Sequence, residues 1–100
     1  MSFQPQRFVL IGGHRVKIKV VENFEDWGEY DHDEKTISVS SRAMKSKAFY
    51  LSTLRHEMVH AALAIGGVAF SESMEEEAIV RCMDEIFFPA WDRVAKRYRK

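Results

Sequence analysis

The sequence predicts an α+β fold: a small antiparallel sheet of three or four strands followed by two or three helices packed on it. Three observations carry this. Alternation of apolar and charged residues, the period of a half-buried strand, is confined to residues 7–40. Gly12-Gly13 separates two β-rich runs, a two-residue hairpin signal. From Ser46 onward the spacing is helical, punctuated by Gly66-Gly67 and Pro89. Strands first and helices second put the helices on one face of the sheet.

Element by element, Arg7 to Ile11 and His14 to Val21 form the hairpin, with Val16, Ile18 and Val20 facing inward and Lys17 and Lys19 facing water. Asn23 to Gly28 is a loop around Trp27. Glu29-Tyr30 opens a short strand, Asp31 to Glu34 is a charged turn, and Thr36 to Ser40 is a strand through Ile37 and Val39. Ser40-Ser41 offers a cap. A long helix then runs from about Ser46 to Ile65 with Ala48, Leu51, Leu54, Arg55, Met58, Ala62 and Ile65 along one side, and Gly66-Gly67 stops it. Val68 to Ser73 is a loop in which Ser71 or Ser73 caps the next helix. That helix, Met74 to Phe88, presents Ala78, Ile79, Cys82, Met83, Ile86 and Phe87 inward, and Pro89 ends or kinks it before a third helix over Ala90 to Tyr98. No repeat, linker or low-complexity tract interrupts residues 1–100, which read as a single domain.

Composition narrows the function classes. Fifteen basic and fifteen acidic residues balance, so no general attraction to nucleic acid or to a membrane follows. The basic residues Arg93, Lys96, Arg97, Arg99 and Lys100 read as a solvated helix end that complements the helix dipole. No apolar run reaches the ~20 residues a bilayer needs, and the first residues lack the pattern of a secretory signal. Cys82 is the sole cysteine and sits among apolar neighbours at helical spacing, so a buried, inert thiol and a reducing, cytoplasmic setting are expected.

The chemistry lies in His56-Glu57-Met58-Val59-His60, an H-E-x-x-H string inside an uninterrupted helical stretch. Histidines four apart share one helical face, so both imidazoles can bind one Zn²⁺, while Glu57 can reach a water without ligating the ion. A catalytic zinc takes three protein ligands. No third histidine follows His60; His14 and His32 lie upstream on the hairpin and in a charged turn and read as surface residues. The acids Glu72, Glu75, Glu76 and Glu77 remain. Glu72 precedes the cap, and helical phase turns Glu77 away while leaving both Glu75 and Glu76 on the inward edge. A carboxylate there needs a cationic partner, and a zinc ion would be one.

An antiparallel sheet, a long helix with H-E-x-x-H and a second helix offering a glutamate resemble a minimal gluzincin metallopeptidase, more narrowly the small ImmA/IrrE-like and phage-encoded metalloproteases with their zincin-like fold. The resemblance runs from about Tyr30 to Pro89 and rests on Leu54, His56, Glu57, His60 and Ala61, and loosely on Glu76-x-x-Ile79-x-x-Cys82. It implies Zn²⁺ on His56, His60 and Glu76, with Glu75 as the alternative third ligand, and Glu57 as general base. It also implies hydrolysis of a peptide or protein substrate and a bacterial or phage-infected host cytoplasm. The substrate would dock on an edge strand at Thr36–Ser40, and Tyr30, Tyr50 or His32 would assist the oxyanion. A catalytically silent domain of the same fold, regulating by protein binding, is the alternative.

Overall fold

The computed structural model describes residues 3–68 and 73–98. The chain forms two units, Met1–Ala69 and Phe70–Lys100.

The first unit is a four-stranded sheet with one long helix. Strand β1 (Phe8–Ile11) and β2 (His14–Val21) form the expected hairpin, in which Gly12 and Gly13 adopt φ of +56° and +80°. Positive φ at both central positions is the turn whose twist suits two paired strands, and glycine takes it without steric cost. Strand β3 (Gly28–Asp31) and β4 (Thr36–Ser40) form a second antiparallel pair. The spatial order is β1-β2-β4-β3, with β2 and β4 parallel.

The sheet is therefore mixed, and Thr36–Ser40 is an interior strand. Both expectations, a purely antiparallel sheet and an edge at Thr36–Ser40, are corrected here. The reason is polarity. β4 reads Thr-Ile-Ser-Val-Ser and is buried at four of its five positions, whereas β3 reads Gly-Glu-Tyr-Asp. An edge strand tolerates charge and discourages stray pairing, so the polar strand goes outside and the apolar one inside. Arg42 holds the connection that makes this crossing. Its guanidinium Nη2 donates to the carbonyls of Phe24, Glu25 and Asp26 at 2.9, 2.9 and 3.2 Å and stacks over the Trp27 ring at 4.3 Å.

Val16 and Ile18 of β2 are buried with Ile37 and Val39 of β4, while Lys17 and Lys19 face water as the alternation predicts. Val20 is exposed, contrary to the pattern; β1 ends opposite Lys17, so this part of β2 is paired on one side only. A 3₁₀ turn, Ser41–Lys45, follows β4 and is capped by Ser40 Oγ.

Helix α1 (Lys47–Ile65) starts where Ser46 Oγ accepts the Phe49 N–H at 3.0 Å. It ends at Gly66-Gly67, where Val68 N–H reaches the Leu63 carbonyl and Gly67 N–H the Ala64 carbonyl, with Gly67 at φ +78°. These are the two bonds of the Schellman motif. The buried positions of α1 are Tyr50, Leu54, Glu57 and Ala61. Leu51, Ala48 and Ala62, expected inside, are exposed. Apolar residues occur on nearly every side of α1, so periodicity alone does not choose its phase; the sheet does. Tyr50 and Leu54 join Val16, Ile18, Ile37, Val39 and Ala43 in the core.

The second unit is helical: α2 (Ser73–Cys82), a π-helical turn (Met83–Phe87) and α3 (Phe88–Tyr98). Pro89 does not end the helix: the chain is helical on both sides of it, with the widened turn just ahead. Proline has no N–H and its ring crowds the carbonyl four residues back; widening the turn, with the Phe88 N–H bonded to the Met83 carbonyl, accommodates both. Val80 is buried, but Cys82, Ala78, Ile79, Ile86 and Phe87 are exposed, so the inward face expected for this helix and the buried thiol are both corrected. The widened turn shifts the phase between α2 and α3, which a constant helical period cannot register. Ser71, Glu72, Arg99 and Lys100 lie outside the described residues. Among the described residues no helix is long and apolar enough to cross a membrane.

Replacing the cap of α1 gives a direct check on this architecture. Ser46→Ala removes the acceptor for the Phe49 N–H and is expected to lower stability by about 1 kcal/mol. The urea midpoint should fall with an unchanged slope.

Candidate metal centre

The site is built on the middle of α1. His56 and His60 are one turn apart, their ring centroids 5.1 Å from each other and their planes at 63°. Both are half-buried. Two imidazoles at this separation present nitrogens to one point on the helix flank, the arrangement in which i and i+4 histidines bind a divalent cation.

Glu57 points elsewhere. Its side chain is 7% exposed and packs on strand β3 at Gly28. A Cβ at position 28 would stand 3.0 Å from Glu57 Cγ, 3.2 Å from its Oε2 and 3.2 Å from Thr53 Cγ2. Gly28 thus leaves the room that the carboxylate occupies. A carboxylate so placed is shielded from bulk water yet adjacent in sequence to a histidine of the pair, which suits a group that exchanges protons.

Gly28 is the functional residue that the sequence reading passed over, assigning it to the end of a loop. A lone glycine at the start of a strand is a weak signal of close backbone approach, and nothing in the sequence says what approaches. Trp27, the preceding residue, meets the Phe49 ring edge-on at 4.8 Å. Trp27 against Phe49 and Gly28 against Thr53 and Glu57 show that β3 and α1 advance side by side.

The remaining candidates separate cleanly. Tyr30 Oη and His32 Nδ1 are 2.8 Å apart, on and just beyond the edge strand β3. Burial, and then the charge of Asp31, raise the Tyr30 pKa, so the phenol is neutral near pH 7 and shares a hydrogen bond with the imidazole. Tyr50 is 3% exposed in the core, beside Phe3, with its own pKa raised by burial, and is withdrawn from the surface of the site. His14 is an exposed residue of the β1–β2 hairpin. Glu75, Glu76 and Glu77 lie in the first turns of α2 in the second unit, Glu76 half-buried and the other two exposed.

Comparison with protein-family models, with curated proteins and with solved structures finds no match.

The fit of Glu57 against Gly28 is open to a double-mutant cycle. Gly28→Ala should destabilise the protein by about 1–3 kcal/mol through overpacking, and part of that loss should vanish in a Glu57→Ala background, where the contacts with Glu57 Cγ and Oε2 are gone and only the one with Thr53 Cγ2 remains. Strictly additive urea-denaturation energies would contradict the contact.

Proposed function

We propose that this chain is a zinc-dependent metallopeptidase in which His56 and His60 bind the ion and Glu57 is the general base. The observation that carries the reading is the division of labour along one helical turn: two half-buried imidazoles 5.1 Å apart on the flank of α1, and between them in sequence a buried carboxylate seated on Gly28. A site meant only to hold a structural ion has no use for that carboxylate.

The donor chemistry fits zinc. Two histidine nitrogens and one carboxylate form a familiar catalytic set, and in this reading the carboxylate is that of Glu76, with Glu75 as the alternative, both in the first turn of α2. When bound, the ion would polarise the scissile carbonyl and bring the pKa of water toward ~7. Glu57 then takes the proton released by the attacking water and returns it to the leaving amine. An extended peptide substrate adds to β3, the sheet edge beside α1, by main-chain hydrogen bonding. The Tyr30 hydroxyl, on the same strand as Gly28, is the donor nearest in sequence to that edge. The resemblance to the small gluzincins, carried by Leu54, His56, Glu57, His60 and Ala61, supports a cytoplasmic protein of bacterial or phage origin.

Metal analysis and proteolysis test the proposal together. Purified protein should carry about one zinc per chain, lost in His56→Ala and His60→Ala. Glu57→Gln should retain the metal and lose peptide cleavage by at least a hundredfold, as expected when a general base is removed. Glu75→Gln, Glu76→Gln and Glu77→Gln, assayed for zinc affinity, identify the third ligand as the variant that weakens binding. Zinc retained with no cleavage of any peptide pool would replace the hydrolase with the protein-binding alternative, and absence of stoichiometric zinc would remove the hydrolase outright.

A further inference from the structure

The helix α3 has a face that neither the metal site nor the core accounts for. Phe87, Trp91, Val94 and Tyr98 are 49%, 55%, 51% and 75% exposed. At 3.6 residues per turn they fall within an arc of roughly 60°. Ala90, Ala95 and Phe88 flank them, widening the uncharged surface to an arc of roughly 160°. The opposite side carries Asp92, Arg93, Lys96 and Arg97, and the sequence continues with Arg99 and Lys100. Of the acids of this unit, Glu72, Glu75, Glu76, Glu77, Asp84 and Glu85 precede Phe87 and Asp92 alone follows it. In a chain of zero net charge, α3 is thus a locally cationic helix with an aromatic face.

We infer that α3 is a docking surface for an anionic phospholipid bilayer, lying in the plane of the interface. The two halves of the helix ask for different things at once. The aromatic face asks for an apolar phase, and Trp and Tyr, with one polar atom on an otherwise apolar ring, suit the boundary between acyl chains and headgroups. The cations ask for negative charge close to that same boundary. A nucleic acid would satisfy the cations and leave Phe87, Val94 and the Trp91 ring in water. A second copy of the chain would bury the rings but set two basic helices against each other, and a coiled-coil seam is narrower than this arc. An anionic lipid surface meets both demands. The helix is too short to cross a bilayer, so the contact is peripheral. The inference stands apart from the metal chemistry of the first unit and does not depend on it.

Co-sedimentation of the full chain with sucrose-loaded vesicles tests it, using phosphatidylcholine alone and phosphatidylcholine with one-quarter phosphatidylglycerol. Binding is expected to the mixed vesicles and not to the neutral ones. Arg93→Gln, Lys96→Gln and Arg97→Gln combined should weaken it roughly a hundredfold, from about a fivefold loss per cation. Trp91→Glu should abolish it. Far-UV circular dichroism must show unchanged helix in both variants; the triple variant, altered only on the charged side, keeps the test valid if Trp91→Glu unfolds. No binding to phosphatidylglycerol vesicles, or binding indifferent to the triple substitution, overturns the inference. So does a sedimentation-equilibrium dimer that Trp91→Glu dissociates, which would assign the face to a second copy.

Discussion

The close approach of Glu57 to Gly28 is the constraint that joins the fold of the first unit to its chemistry. α1 can lie on the sheet in many phases, since apolar side chains occur around most of its circumference, but only one phase brings residue 57 over the position that lacks a side chain. With a Cβ there, the carboxylate and the strand could not both stay where they are. Once Glu57 is seated, geometry does the rest. Tyr50, Leu54 and Ala61 follow it inward at helical spacing, and His56 and His60 are carried onto the helix flank.

What holds Gly28 in place lies in the loop before it. Arg42 donates to three successive carbonyls and covers the Trp27 indole, whose edge-on partner Phe49 belongs to the first turn of α1. Nη2 serves the carbonyls while the flat guanidinium lies over the indole face, a stacking geometry that a lysine ammonium does not have. The loop that delivers β3 is thereby tied both to the 3₁₀ turn after β4 and to the start of α1. Stability and site geometry share these contacts, so a lesion at Trp27 or Arg42 acts on both.

The order of the strands decides where a partner chain could approach. β4 is saturated by β2 on one side and β3 on the other, so its backbone has no pairing left to offer. β3 and β1 are the edges. Of these, β3 runs beside α1 at Glu57 and carries Tyr30. A strand added there would pass close to the histidine-bearing turn; one added at β1 would lie across the full width of the sheet from it.

Much was legible beforehand because it is local. The glycine hairpin, the start of a long helix near Ser46 and the Gly66-Gly67 stop each depend on a few neighbouring residues, and each stands where the sequence places it; only the cap differs, Ser46 taking the role that Ser40-Ser41 offered. The pairing of His56 with His60 follows from helical pitch alone. The inner face of α1, the parallel pairing of β2 with β4, the edge position of β3 and the nearness of Gly28 to Glu57 were decided by the tertiary structure. They depend on contacts between residues far apart in the chain, where burial of the most apolar strand and steric room at a single Cα outweigh any local preference. The exposed thiol of Cys82 and the outward aromatic residues of α3 belong to the same class, because a helical period shows that a face is apolar but not what covers it.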